Sequence, residues 1–173
     1  GDWSSDVCSS DLQYTSGAGV LIFNCQAITI SGCSILFNTN LPSATYAYGA
    51  GVGVQGSDVV LTNCTVADND NSSNEGGGGG LWVDSASRVT TVRSFLLRNR
   101  QYGNGYTSAG PGFYNQGNLR MFETVVANNW SEQSCPYWGP GGGGWNAGIL
   151  LMQNCLVVSN KRSEEHTSEL QSP

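Results

Sequence analysis

The stretch Val59-Val60-Leu61-Thr62-Asn63-Cys64-Thr65-Val66-Ala67-Asp68-Asn69 decides the fold. Val59 to Thr62 alternates inward and outward as a short strand does, and β-branched residues favour that state. Asn63-Cys64 breaks the alternation like a bend, and Thr65-Val66-Ala67 makes a second short strand that runs out at Asn69. The same text recurs along the chain. Aligned on asparagine, the copies end at Asn38, Asn69, Asn99, Asn129 and Asn160, in steps of 31, 30, 30 and 31. Five positions before each asparagine stands Cys33, Cys64, Ser94, Thr124 or Cys155. Three before it stands Ile35, Val66, Leu96, Val126 or Val157. Eight before it stands Ile30, Leu61, Met121 or Met152, with Thr91 the polar exception, and ten before it Ile28, Val59, Val89, Leu119 or Leu150.

A repeat built of short strands and bends, with no helical stripe, describes a β-solenoid. Each copy is one coil, and coils stack at the ~4.8 Å spacing of paired strands. Side chains one period apart then lie above one another, aliphatic on aliphatic and Asn on Asn. An inward Asn at a turn can bond its amide to that of the next coil, satisfying groups that burial would otherwise leave unpaired. Ahead of each copy is a glycine cluster and an apolar residue: Gly17 to Val20, Gly49 to Val52, Gly78 to Leu81, Gly110 to Phe113 and Gly142 to Trp145. These glycines supply positive φ and close backbone approach at a corner. The surplus residues are expected to loop out along one edge, at Asn40 to Tyr48, Asp70 to Glu75, Arg100 to Ala109 and Asn129 to Pro140.

The two ends read differently. Residues 2–12, DWSSDVCSSDL, and 162–172, RSEEHTSELQS, can be encoded by two strands of one DNA. Codons chosen for the first give, on reverse complementation and a change of frame, the second. That DNA resembles a common short-read sequencing adapter, so 1–12 and 162–173 are expected to be foreign, disordered segments around a β-helix of residues 13–161. The chain carries 7 basic and 13 acidic residues. One base and six acids fall in the ends, which leaves six and seven between them, a net charge of −1. The acidity therefore implies no basic partner. With so few bases, spread along the chain, nucleic-acid binding is not expected. No run approaches the ~20 apolar residues of a membrane helix.

The first repeat element reads GAGV, GAGV, GGGL, GPGF and GGGW, and the second reads ILFN, VADN, LLRN, VANN and VVSN. This pairing resembles the repeats of polymorphic outer membrane proteins and, more broadly, of right-handed parallel β-helix proteins. The phenylalanine of the FxxN form is absent in all five copies. The resemblance implies an all-β, right-handed, single-stranded parallel β-helix of about five coils of ~30 residues. It also implies a secreted or cell-surface location, the outer membrane in a bacterial host, and adhesion or carbohydrate contact, with a carbohydrate or a host or cell-surface protein as partner. It carries over no catalytic residue and no cofactor.

β-Helices also carry polysaccharide lyases and hydrolases, so the carboxylates matter. Asp68 and Asp70 face Arg98 and Arg100 one coil later, the best catalytic cluster available, and also what two surface ion pairs look like. Register pairs Arg93 with Glu123 in the same way. The alternative to an adhesive segment is thus a fragment of a pectate-lyase-like enzyme. The only histidine, His166, lies in the tail, so the repeats offer no metal site of nitrogen ligands. Cysteines that alternate with Ser and Thr in one column point to a small buried slot holding free thiols. Aromatics in the expected loops, Tyr102, Tyr106, Trp130 and Trp138 among them, would share one edge as ligand contacts. Of three glycosylation acceptors, at Asn63, Asn71 and Asn129, Asn71 is expected to be the most accessible.

Overall fold

The computed structural model describes residues 14–40, 46–73, 75–103, 110–133 and 141–162, all of whose regular elements are β-strands. The segments expected to be foreign lie outside the described residues except for Arg162. Each coil contributes one short strand to each of four parallel walls. Wall A holds Val20–Phe23, Val52–Gln55, Leu81–Val83, Phe113–Asn115 and Gly144–Asn146. Wall B holds Ile28–Ser31, Asp58–Thr62, Arg88–Val92, Asn118–Phe122 and Ile149–Gln153. Wall C holds Ser34–Leu36, Thr65–Ala67, Phe95–Leu97, Val125–Ala127 and Leu156–Val158. Wall D holds Thr39–Asn40, Asp70–Asn71, Arg100–Gly103, Trp130–Gln133 and Lys161–Arg162. A fifth sheet of three strands, Tyr14–Ser16, Tyr46–Tyr48 and Glu75–Gly77, closes the first three layers. Each long sheet thus has five layers, with four full turns between the first and the last.

The register is the one the repeat sets. Val59, Val89 and Leu119 pair in wall B, and Val66, Leu96 and Val126 in wall C. All of them are buried in one core. Two corners per coil use left-handed backbone. Asn63, Arg93, Glu123 and Asn154 turn wall B into wall C with φ of 51, 44, 49 and 55°. Asp68, Arg98, Asn128 and Ser159 turn wall C into wall D with φ of 57, 49, 57 and 55°. Asn and Asp tolerate this conformation, while the longer side chains pay strain of about 1–2 kcal/mol each.

Behind each corner a polar side chain points inward. At the second corner it is the repeat asparagine. Nδ2 of Asn38, Asn69, Asn99 and Asn129 donates to Oδ1 of the next asparagine at 2.8, 2.9, 3.1 and 2.9 Å. The backbone N–H of each donates to the same oxygen. Nδ2 also donates to a wall C carbonyl of the preceding coil, as from Asn99 to Val66 at 3.0 Å. At the first corner the Cys–Ser–Thr column does the same work: Ser94 Oγ accepts from the Cys64 N–H and donates to the Val92 carbonyl. Cys25, Cys33, Cys64 and Cys155 are free thiols, and Cys135 lies outside the described residues; the expected buried slot holds only for Cys64, since Cys33 is exposed and Cys155 half-buried in the first and last layers. Thr91, the polar exception, shares a hydrogen bond of 2.9 Å with Thr124 across the interior.

Four expectations need correction. The segments after each asparagine are not loops from their start: their first residues form wall D, and Tyr46–Tyr48 and Glu75–Gly77 are strands as well. The inward file of wall D is polar, Asn40, Asn71, Gln101 and Ser131, so no hydrophobic alternation marked these strands. Asn71 is fully buried, its Nδ2 bonded to the Ala47 carbonyl at 2.8 Å; among the three acceptor asparagines it is Asn63 that is exposed. Arg93 reaches back to Asn63 Oδ1 at 3.2 Å instead of pairing with Glu123. In the fifth coil Gly144, not Trp145, stacks on Phe113. The reason is steric, because a Cβ at Gly144 would collide with the Phe113 ring.

Two outcomes follow. Asn99→Leu removes an acceptor that takes two hydrogen bonds and a donor that gives two, in a fully buried file, and is expected to cost about 4 kcal/mol, read from the shift in urea denaturation midpoint. Gly144→Val alone is expected to cost about 2 kcal/mol by overpacking, and Phe113→Val in the same chain to recover most of that loss. Equal losses in the single and double variants would contradict the stacking of these two positions.

Candidate functional site on wall D

The outer surface of wall D is a small grid. One file runs Thr39, Asp70, Arg100, Trp130, Lys161 by strand register, and beside it Tyr102 pairs with Glu132. Side chains of one strand point alternately out and in, so residues 100 and 102 share the outer face while Gln101 is fully buried. Arg100 is the hub. Its Nη2 donates to Glu132 Oε2 at 2.7 Å, and its Nη1 lies 3.7 Å from Asp70 Oδ2. The guanidinium carbon stands 4.7 Å from the Trp130 ring centroid and 5.7 Å from that of Tyr102, both within cation–π range. Ser72 Oγ donates to Asp70 Oδ1 at 2.8 Å, fixing the other carboxylate oxygen. Trp130 and Tyr102 remain 38% and 40% exposed, so the cluster offers ring surface to solvent while its centre is held.

Asp68 and Arg98 sit apart from this cluster, at the left-handed corner beside it. Arg98 grips Asp68 with a two-pronged contact, Nε to Oδ1 at 2.8 Å and Nη2 to Oδ2 at 2.7 Å. The hydrogen bond from Arg98 holds the Asp68 carboxyl below the usual carboxylate range, against a smaller opposing effect of desolvation. Of the four residues weighed for catalysis, then, Asp68 and Arg98 pair with each other, and Asp70 and Arg100 join a larger group. Glu132, which the repeat alignment had not singled out, gives Arg100 its tighter contact. Trp130 and Tyr102 fall together as expected, and Tyr106 and Trp138 lie outside the described residues.

Beneath this surface the interior is not satisfied. Gln101 Nε2 and Oε1 and Ser131 Oγ are buried without a hydrogen-bond partner among the described residues, as is Asn40 Nδ2 in the same inward file. Each such group costs about 1–3 kcal/mol. Wall D is therefore held by its backbone ladder and its outer side chains, not by a greasy inner face.

A second aromatic group was not foreseen. On the outer side of wall A, Tyr48 stacks on Trp82 at 4.8 Å and Tyr114 on Trp145 at 4.5 Å. Gln116 bridges them, accepting from Trp82 Nε1 at 3.3 Å and donating to Tyr114 Oη at 3.4 Å. Burial, with a contribution from Tyr48, pushes the Tyr114 phenol up to about 12. Trp82 and Tyr114 are both buried, so this group is packing. The signal was present in the sequence, an aromatic in second place of three wall A strands, but the one-residue slip at Gly144 hid the third.

Short parallel strands in stacked walls, a single coiling path and internal Asn and Ser/Thr/Cys files define the class: a parallel β-solenoid. A family model described as the right handed beta helix region matches residues 4–163, and the chain belongs to that family. No curated protein and no solved structure matches it.

Because the folded Asp68 carboxyl is depressed, the Asp68–Arg98 contact contributes stability above the unfolded-state pKa and loses it as pH falls through the lower folded value. Both side chains are partly exposed, so Asp68→Asn, which still tolerates the left-handed corner, is expected to cost only about 0.5 kcal/mol at neutral pH. In strongly acidic solution the variant and the parent should melt alike; a difference that persists there contradicts the assignment.

Proposed function

We propose that the chain is a non-catalytic structural or adhesive β-helix segment of a secreted or cell-surface protein, and that wall D is its contact face for carbohydrate. The observation that carries this reading is the exposed Trp130–Tyr102 pair locked around Arg100. Aromatic rings held in place present area at little entropic cost, and carboxylates beside them accept hydrogen bonds from hydroxyls. Asp70 and Glu132 balance Arg100 and Lys161, so this face offers no net positive charge to draw a uronate. A protein ligand at a cell surface would use the same ring surface.

The alternative of a polysaccharide lyase or hydrolase draws less support. Glycoside cleavage needs one carboxyl that keeps its proton and another that is free. Asp70 and Glu132 are both committed to Arg100, and Asp68 is shifted toward the ionised form. The test is calorimetric titration against a panel of soluble neutral polysaccharides. Binding by the parent chain should fall at least about tenfold in Trp130→Ala and in Tyr102→Ala. Binding that ignores both substitutions, or chain cleavage that Asp70→Asn abolishes, overturns the proposal.

A further inference from the structure

Three asparagines stand in Asn-X-Ser/Thr acceptors: Asn63-Cys64-Thr65, Asn71-Ser72-Ser73 and Asn129-Trp130-Ser131. An asparagine of this kind takes a glycan on Nδ2, and the glycan is bulky and hydrophilic, so it needs solvent around it. The fold treats the three nitrogens differently.

Nδ2 of Asn129 has no N–H to spare. It donates to the Leu96 carbonyl and to Asn160 Oδ1, both at 2.9 Å. The residue is fully buried, and the space beside it is closed by backbone: a Cβ on Gly112 would stand 2.9 Å from Nδ2. One more carbon does not fit there, and a sugar ring still less. The same closure runs along the file, where a Cβ on Gly51 or Gly80 would meet Nδ2 of Asn69 or Asn99 at 2.8 or 2.7 Å. Asn71 is closed in another way. It is fully buried in wall D, and its Nδ2 donates to the carbonyls of Ala47 at 2.8 Å and Gly77 at 3.3 Å. Its Oδ1 accepts from the Ser73 hydroxyl at 2.9 Å. Asn63 is the opposite case. It sits exposed at the left-handed corner between walls B and C, with its backbone N–H bonded to the Val92 carbonyl. Its Oδ1 accepts from Arg93 Nε at 3.2 Å, and its Nδ2 has no partner among the described residues.

We infer that Asn63 is a position this fold can carry as a glycosylated asparagine, and that a sugar on Nδ2 of Asn71 or Asn129 prevents the coils from closing. In the transfer, Nδ2 attacks the anomeric carbon of a sugar held on a phosphate. The N–C bond forms, the C–O bond to phosphate breaks, the phosphate leaves with that electron pair, and one amide proton goes to base. At Asn63 this removes nothing the fold uses, because Oδ1 and its bond from Arg93 are kept. At Asn129 it removes a donated hydrogen bond and forces a ring between coils that stack at ~4.8 Å. A route of export that transfers glycans to the chain before it folds therefore yields native protein only from molecules left bare at both buried positions. An exported form of this chain is matched to a route without such transfer. None of this depends on what wall D binds.

Selection during refolding tests it. The denatured full chain is treated with a soluble asparagine glucosyltransferase and uridine diphosphate glucose to partial occupancy of all three acceptors. It is then refolded and separated by resistance to protease. Peptide mass spectrometry compares occupancy in the resistant fraction with that in the denatured input. Occupancy of Asn71 and of Asn129 is expected to fall at least about tenfold, and that of Asn63 to stay within about twofold of the input. The variant Ser73→Ala with Ser131→Ala keeps every asparagine and leaves Asn63 as the acceptor. It is expected to refold equally well with and without its glucose, and Ser131 Oγ has no partner to lose among the described residues. Should the denatured chain not refold, the same comparison is made between the secreted and the retained chain of a glycosylating eukaryotic cell. A resistant or secreted fraction that keeps the sugar at Asn71 or Asn129 overturns the inference for the buried pair. Depletion at Asn63 as strong as theirs overturns it for the exposed corner.

Discussion

The fold rests on one recurring contact, the asparagine amide that bonds the amide of the next coil. Each internal asparagine accepts twice through Oδ1 and donates twice through Nδ2, once forward along the file and once back to a wall C carbonyl. Nothing of its hydrogen-bonding capacity is left for water, which is what allows a primary amide to be fully buried at Asn69, Asn99 and Asn129. The contact has no freedom in register: shifting one coil by a residue would bury the corner residue and expose the amide. It thereby sets the phase of the walls on both sides, and the aliphatic files of walls B and C fall into line behind it.

Stacking also means that burial is a property of neighbours, not of a residue. Val126 is fully buried and Val157, the same position in the last layer, is 54% exposed. The side chain and its orientation are equivalent; what differs is whether a coil lies on top. The same dependence explains Gly144, which is glycine because the coil before it placed a phenylalanine at the corresponding inward position. The large and the absent side chain together fill one volume, as close packing requires.

The candidate site arises where the repeat is broken. Wall D gives up an apolar interior and carries a fixed cation between exposed rings on its outside. The wall A to wall B corner is four residues long in the first and third coils, Asn24 to Ala27 and Asp84 to Ser87, and two in the others. Elsewhere the outer surface follows the period and offers paired charges, such as Asp68 with Arg98, that are worth little beyond covering the corner.

The sequence by itself determined the layers, their order and the register of walls B and C. A period of thirty residues with aliphatic, small and asparagine positions has no other way to bury its apolar groups and satisfy its amides, so walls B and C, the corners and the free thiols of the small-residue column could be read directly. Wall D was not legible, because Thr39-Asn40, Asp70-Asn71 and Arg100-Gln101 are polar on both faces and alternation carries no signal there. The meeting of Glu132 with Arg100, the choice of Asn63 over Glu123 by Arg93, and the burial of Asn71 depend on where flexible or short side chains find partners across coils. That is decided by the radius and twist of the finished tube, and only the tertiary structure supplies it.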